Sequence, residues 1–198
     1  RQIIQAFDIP IIELEGYEAD DLIGTIAKKA EKHGYNTFMV TPDKDFGQLV
    51  SDNIYIWKPP YMGRPYEILG KKEVCERWEI DDVKKVIDIL GLMGDAVDNI
   101  PGIPGVGEKT AIKLVNEFGS LENLLANTDK LTGKLKARVE ENKELAVISK
   151  KLATIVTDAP VEVEEEKLVI TKPHKQQLTA LFAELEFRTL GKRVLGNE

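Results

Sequence analysis

Apolar positions along the chain follow two periods, and each period predicts a different element. Leu22, Ile23, Ile26, Ala27 and Ala30 recur at helical spacing behind Gly16-Tyr17-Glu18-Ala19-Asp20-Asp21, and Gly34 is a natural stop. Ile11-Ile12-Glu13-Leu14, Thr37-Phe38-Met39-Val40 and Ile54-Tyr55-Ile56-Trp57 are short apolar runs that read as strands. Thr41-Pro42-Asp43-Lys44-Asp45 reads as a turn and Phe46 to Val50 as a short helical piece, with Pro59-Pro60 closing the last strand. Strands alternating with helices predict an α/β fold with a mostly parallel sheet. Beyond residue 66 only the helical period remains, at Val74, Trp78, Val83, Val86, Ile87 and Leu90. Further helices are expected over roughly 107–118, 120–127, 134–140, 143–153 and 174–185, with a Gly/Pro-rich break at 101–107. Residues 157–173, rich in glutamate, read as an extended connection. The expected organisation is a partial α/β core over 1–66 and a helical region over 67–198, packed as one unit. No tandem repeat or low-complexity tract is visible.

Composition excludes several chemistries. The 198 residues are 42% hydrophobic and 31% charged, enough apolar content for a buried core. A single cysteine, Cys75, rules out an internal disulfide framework and a Cys-rich zinc site. Two histidines, His33 and His174, far apart in sequence, argue against a His-based zinc or iron centre. No apolar run approaches the roughly 20 residues of a membrane helix, and no signal peptide is visible, so a soluble, cytoplasmic chain without a membrane partner is expected. The chain begins without methionine, as a fragment or processed piece would. The net charge of −7 is unevenly spread: residues 1–98 carry 12 Lys and Arg against 19 Asp and Glu, and residues 99–151 carry 9 against 7. Lys109, Lys113, Lys130, Lys134, Lys136 and Arg138 form the mildly basic part, which alone reads as a solvated helical surface.

Three acidic clusters stand out: Glu18-Ala19-Asp20-Asp21, Asp43-Lys44-Asp45 and Asp95-Ala96-Val97-Asp98. Taken singly, each reads as readily as a helix N-terminus or a turn. Together they carry more. Sites in parallel α/β sheets gather at the carboxyl ends of strands, where Glu18 and Asp43 are expected. Asp95 and Asp98, three apart, share a face if helical. Carboxylates crowded without basic partners repel, and a divalent cation is the usual remedy. Oxygen donors favour Mg²⁺ or Mn²⁺ over zinc. Two such ions about 4 Å apart would suit in-line attack on a phosphodiester.

Ile103-Pro104-Gly105-Val106-Gly107-Glu108-Lys109-Thr110-Ala111 is the most specific local signal. Gly105 and Gly107 permit a tight turn with exposed N–H groups, and Gly107 opens a helix with apolar positions at Ala111, Leu114, Val115 and Phe118. A helix N-terminus binds phosphate, and Lys109 and Lys113 on its first turns add counter-charge. The spacing fits neither a Walker A loop nor a dinucleotide fingerprint. It resembles the helix–hairpin–helix motif that holds the sugar-phosphate backbone of DNA, though a simple glycine turn between helices would also leave this trace.

Taken in order, Gly16-Tyr17-Glu18-Ala19-Asp20-Asp21, Thr41-Pro42-Asp43-Lys44-Asp45-Phe46-Gly47-Gln48-Leu49 and the run from Gly94-Asp95-Ala96-Val97-Asp98 to Gly107-Glu108-Lys109-Thr110-Ala111 resemble the 5′-nuclease domain of bacterial DNA polymerase I, in the flap endonuclease family. Phe118-Gly119-Ser120-Leu121-Glu122 and Leu185-Glu186-Phe187 extend the resemblance over essentially the whole chain. It implies a partial PIN-like parallel sheet followed by a helix–hairpin–helix (helix-three-turn-helix) region. It implies that Glu18, Asp20, Asp21, Asp43, Asp45, Asp95 and Asp98 match the family's catalytic, metal-binding acids. Segment 102–113 matches the DNA-binding hairpin, with Gly102, Ile103, Gly105, Val106, Gly107, Lys109, Thr110 and Lys113 as its contacts. The implied cofactors are Mg²⁺ or Mn²⁺, two ions in the complete domain, and potassium at the hairpin carbonyls. The implied partners are DNA (5′ flaps and duplex backbone) and the polymerase domain of a longer protein, and the implied setting is replication and repair at the bacterial nucleoid. The family's first strand, its aspartates and the basic arch that grips the scissile phosphate find no match here, and Asp8 lies in the wrong context. The chain is therefore expected to represent the C-terminal two-thirds of that domain.

The leading expectation is a Mg²⁺-dependent 5′-3′ exonuclease or flap endonuclease, impaired in this chain by the missing acids. The alternatives are a non-catalytic module that binds DNA backbone and a related metal-dependent ribonuclease. Trp57, Trp78, Tyr55 and Phe38 are expected in the core rather than as base-stacking platforms, Cys75 as a small core residue, Tyr17 as packing and His33 as a helix-end residue.

Overall fold

Alternation along Thr37–Val40 and Ile54–Lys58 sends Met39, Ile54 and Ile56 to one face, where all three are buried. In the computed structural model, which describes residues 1–196, the elements are α1 (Gln2–Ala6), α2 (Ala19–Lys32), β1 (Thr37–Val40), a 3-10 turn over Asp45–Leu49, β2 (Ile54–Lys58), β3 (Glu67–Leu69), α3 (Lys71–Trp78) and α4 (Val86–Met93), the last entered through a 3-10 turn at Val83–Lys85. Then follow α5 (Glu108–Phe118), α6 (Leu121–Ala126), α7 (Gly133–Glu141), α8 (Lys143–Ala153), α9 (Lys175–Glu184) and α10 (Arg188–Leu195), with single 3-10 turns at Thr128–Lys130 and Glu165–Leu168. The described residues divide into two units: Glu18–Ala159, and Arg1–Tyr17 with the chain from Pro160 onward. The change of pattern at residue 66 lies inside the first unit.

Two expectations about the sheet need correcting. Ile11–Leu14 forms no strand: it follows Pro10, which lacks an N–H, and it finds no partner strand among the described residues. A strand does form just past residue 66. Met62 and Gly63 take positive φ, Tyr61 and Arg64 bridge, and the chain doubles back so that β3 pairs antiparallel with β2. With β1 parallel to β2, the sheet is mixed, in the order β1-β2-β3. Its second face carries Phe38, Tyr55 and Trp57. Phe38 stacks on Tyr55 with centroids 5.3 Å apart, and Trp57 stacks on Tyr66 at 5.5 Å. Phe38 is half exposed, and of the four aromatics expected in the core only Trp78 is there.

The helical part is built around α4. Val86, Ile89, Leu90 and Leu92 are all buried, and α4 packs on α5, α6 and α8. Gly91 allows the α8 contact: a Cβ there would lie 2.7 Å from Lys150 Cβ and 2.9 Å from its Cα. Asp88, buried on the same helix, accepts from Lys150 Nζ at 2.6 Å and from the Leu121 N–H at 2.9 Å, so its charge is paired and hydrogen-bonded. On α5, Ala111, Leu114, Val115 and Phe118 are buried as their spacing predicts. Cys75 packs against this core without being fully buried. The smaller unit closes over Ala6, Leu178 and Phe182, and the His174 N–H donates to Ala6 O at 2.8 Å. No helix among the described residues is long and apolar enough to cross a membrane.

Candidate metal centre and nucleic-acid interface

Three local devices aim the acids. After β1, Thr41 Oγ1 accepts the Asp43 N–H at 3.1 Å and Asp43 Oδ1 accepts the Asp45 N–H at 2.9 Å. This side-chain turn starts the 3-10 segment and directs Asp45 inward, where it is 8% exposed. At the start of α2, Asp21 Oδ2 accepts the Glu18 N–H at 3.3 Å and Asp21 Oδ1 accepts the Val156 N–H at 2.9 Å. After α4, Gly94 turns the chain at φ +70°, and Asp95 and Ile100 pair as an antiparallel bridge with N···O distances of 2.9 and 2.7 Å. Asp95 Oδ1 accepts the Val97 N–H at 2.8 Å.

The devices converge within the larger unit. Glu18, Asp20, Asp21, Asp43, Asp45 and Asp98 line one cavity of about 100 Å³, walled on the other side by Leu152–Ile155 at the end of α8. Carboxylate oxygens of Asp45, Asp95 and Asp98 lie within 4.8 Å of one another. All seven acids singled out in the sequence are therefore brought together, though by different geometry. Asp95 and Asp98 share a tight loop, not a helix face, because Gly94 ends α4 before them. Glu18 caps a helix that follows irregular chain rather than a strand. Asp43 does stand at the carboxyl end of a strand.

The electrostatics are those of a site short of positive charge. Burial, followed by the Asp43 charge and lesser contributions from Asp95 and Asp98, pushes the Asp45 carboxyl up to about 6, against the pull of Lys44. Asp45 Oδ1 is buried and accepts no hydrogen bond. Burial and the neighbouring Asp43, Glu18, Asp21 and Asp98 also raise Asp20. Asp95 is held below the usual carboxylate range by its hydrogen bond from Lys44 Nζ, 2.6 Å away, helped by the Val97 N–H. A buried carboxylate oxygen without a partner, facing other carboxylates, fits a cation, and an all-oxygen donor set fits a hard divalent ion.

The hairpin is satisfied by its own chain. The Gly102 N–H donates to Ser149 Oγ at 2.9 Å, the Ile103 N–H to Leu92 O at 2.8 Å, and Arg138 Nη1 to Gly105 O at 3.2 Å. Gly102, Ile103 and Val106 are buried. Those three positions hold the turn in place and present no side chain outward. Gly105, Gly107, Lys109 and Lys113 are exposed and Thr110 is half-buried. Gly102 requires the absence of a Cβ, which at φ +60° would lie 2.4 Å from Gly94 N. Gly107 does not: at φ −96° and ψ 178° it opens α5 in extended backbone, and a Cβ would meet nothing within 4 Å.

Two residues of the site escape sequence reasoning. Gln48 Nε2 donates to Asp45 O at 3.0 Å and to Ala153 O at 2.9 Å, while its Oε1 accepts the Ile155 N–H at 2.9 Å, tying the acidic turn to the end of α8. In sequence it is one polar residue in a short helical run. Lys44 stands between two site acids yet pairs with the distant Asp95, a choice no local pattern reveals.

Comparison with known proteins places this geometry. The model of the 5′-3′ exonuclease N-terminal resolvase-like domain matches residues 1–79, and that of the 5′-3′ exonuclease C-terminal SAM fold matches residues 82–176. DNA polymerase I of Bacillus subtilis is 45% identical over 98% of this chain, which spans 22% of that protein. A 5′-3′ exonuclease of Aquifex aeolicus is 39% identical over 98% of this chain and 64% of its own length. A bacteriophage T5 flap endonuclease, solved as a pseudo-enzyme-product complex with DNA and metal ions, superposes with a TM-score of 0.64 at 26% identity, over 74% of this chain and 53% of that one. Both halves of the chain thus match successive parts of one nuclease, with the acids on the first half and at the start of the second, and the chain belongs to the 5′-3′ exonuclease family.

Proposed function

We propose that this chain carries the metal-binding and DNA-docking parts of a 5′ nuclease that hydrolyses DNA phosphodiesters at 5′ ends and flaps during replication and repair. The observation that carries the reading is Asp45 Oδ1, buried without a hydrogen bond where carboxylates converge. Asp45, Asp95 and Asp98 are the residues to hold a Mg²⁺ or Mn²⁺ ion, and Glu18, Asp20 and Asp43, which line the adjoining cavity, are those left for a second. A divalent ion there would lower the pKa of water beside the scissile phosphate and neutralise charge growing on its oxygens. Asp21, with both oxygens engaged by backbone N–H groups, positions Glu18 and Asp20 on the first turn of α2. Gln48 fixes the turn that carries Asp45, and supports of this kind hold site groups in productive geometry.

Duplex backbone is the proposed partner of the hairpin. Exposed Gly107 leaves open space for close approach, the N-terminus of α5 has no side-chain cap, and exposed Lys109 and Lys113 supply counter-charge to phosphate. Contacts of this type fix register without reading bases. Potassium at the hairpin is left out of the proposal, because the Arg138 guanidinium already takes the Gly105 carbonyl. In relatives that also bear a polymerase the chain would serve as the nuclease part of a cytoplasmic DNA polymerase I.

A second reading, a DNA-backbone-binding module without catalysis, draws on one observation: the tightest carboxylate group is a set of three, enough for one ion. Incubation of a 5′-labelled flap duplex with Mg²⁺ or Mn²⁺, with binding followed in parallel, separates the two. Cleavage that stops with EDTA supports the nuclease. Salt-sensitive binding without cleavage supports the module. A chain that neither binds nor cleaves DNA overturns both.

A further inference from the structure

Lys44 lies between Asp43 and Asp45 in sequence, but its ammonium pairs with neither. It reaches Asp95, with Nζ 2.6 Å from Oδ2, while Asp95 Oδ1 accepts the Val97 N–H at 2.8 Å. Both oxygens of Asp95 are thus engaged, and Asp95 is one of the three carboxylates that crowd within 4.8 Å. The pair is not symmetric: the Asp95 side chain is 11% exposed and that of Lys44 is 39% exposed, so the lysine is the partner with room to move. Its way out is visible. Lys44 also lines a neighbouring cavity of about 220 Å³ in the same unit, whose charged walls are mixed, with Lys58 and Arg77 beside Asp43, Glu67 and Glu73, over an apolar floor that includes Ile56, Leu69 and Trp78. Arg77 is committed to a two-pronged ion pair with Glu108, at 3.0 and 3.2 Å, whereas Lys58 is exposed at the end of β2.

We propose that Lys44 is a displaceable internal counter-ion: a divalent cation taken up by Asp45, Asp95 and Asp98 expels its ammonium from Asp95 toward the mouth of the adjoining cavity, where with Lys58 it binds a phosphate of the DNA strand. The proposal rests on the reading of those acids as a metal site. The physical driver is charge. A doubly charged ion and an ammonium sharing one carboxylate repel across a few ångströms of partly buried space, and the more exposed of the two leaves. The role matches the shortage noted above, since the site holds a lysine in place of an ion until the ion arrives. By linkage, each ligand strengthens the other: metal frees the ammonium for phosphate, and phosphate draws the ammonium off Asp95 and opens it to metal. Lys44 is a positioning and phosphate-binding residue in this scheme, and no proton transfer is asked of it.

The test is Mn²⁺ binding to the whole chain, read by electron paramagnetic resonance without DNA, for the parent, Lys44→Met and Lys44→Arg. Removal of the charge should tighten Mn²⁺ by about tenfold at low ionic strength, and Lys44→Arg, which keeps the charge, should match the parent. Binding of a labelled 5′-flap duplex in Ca²⁺ against EDTA supplies the second readout. Ca²⁺ should tighten the parent's hold by about fivefold and leave Lys44→Met nearly unchanged. Equal or weaker Mn²⁺ affinity in a folded Lys44→Met protein, with a Mn²⁺ site present in the parent, would overturn the counter-ion role alone. Absence of a Mn²⁺ site in the parent and in Lys44→Met would overturn the metal reading of the acids and the counter-ion with it.

Discussion

The acidic centre and the glycine hairpin belong to the same unit and are built on opposite terms. At the hairpin the chain answers its own needs: the Gly102 and Ile103 N–H groups and the Gly105 carbonyl all have protein partners, and Ile103 and Val106 are buried. At the acids it does not. Six carboxylates line one small cavity, Asp45 is pushed up to about 6 by burial and by its neighbours, and its Oδ1 has no donor. The hairpin's packing is present in the free protein, whereas the crowded acids oppose its folding and, on the proposed reading, would be relieved by an added ion. A motif rich in specific residues is thus mostly a description of self-packing, and the feature that calls for a ligand is an unmet charge.

The comparison can be broken at four points, in descending order of effect. Gly102→Ala should do the most damage, because its Cβ would meet the backbone of Gly94 and Met93 at 2.4 to 2.7 Å and neither can turn aside. A loss of about 4 kcal/mol is expected, seen as a large fall in the urea midpoint; a midpoint near the parent's would show that the crossing at Gly94 is loose. Next, Asp45→Asn should weaken Mn²⁺ by on the order of 100-fold. It should also stabilise the metal-free fold at pH 7.5 by on the order of 2 kcal/mol, since a carboxyl raised from 3.8 to about 6 opposes folding when ionised. The sign follows from the direction of the shift. The protonated group's contribution is fully present below 3.8 and is lost as the pH rises through about 6, so the gain from asparagine should vanish in acid. Over the same range Mn²⁺ affinity of the parent should fall as the pH drops below about 6, measured by titration at constant ionic strength.

Third, Gln48→Ala removes the tie between the acidic turn and α8 without touching a carboxylate, and should weaken Mn²⁺ about tenfold. An unchanged affinity would mean that the turn is held by its own hydrogen bonds. The smallest effect on the fold is expected at Gly107→Ala. Its backbone is extended and its Cβ would face open space, so stability should shift by less than about 0.5 kcal/mol. If duplex backbone approaches there, affinity for a flap duplex should still fall. Equal damage at Gly102 and Gly107 would erase the distinction between glycine kept for folding and glycine kept for a ligand.

Much of this is legible in the sequence. The helical stripe of α2 and the apolar positions of α5 lie where their periods put them, because both helices bury one face and expose the other. The seven acids lie together, and the three short acidic motifs that carry them are visible without any knowledge of long-range packing. What the sequence concealed depended on pairing across the chain. Ile11–Leu14 has the composition of a strand but no neighbour to bond, and β3 exists only because Met62 and Gly63 reverse the chain onto β2. Phe38 and Tyr55 look like core residues, yet alternation puts them on the face opposite Met39 and Ile56. Asp95 and Asp98 meet through a bridge closed by Ile100 rather than through a helix. Gln48 and Lys44 act on residues 105 and 51 positions away, beyond the reach of any local pattern.

The most direct test of the central claim, that the acidic centre costs the fold stability until a cation fills it, is thermal melting of the parent and of Asp45→Asn at pH 7.5, with and without Mn²⁺. Without metal the asparagine variant should melt higher. With Mn²⁺ at about 100 times the parent's Kd the parent should gain about 2.7 kcal/mol by mass action and the weaker-binding variant much less, so that the order of the two melting points reverses. The same order in both conditions would contradict the account.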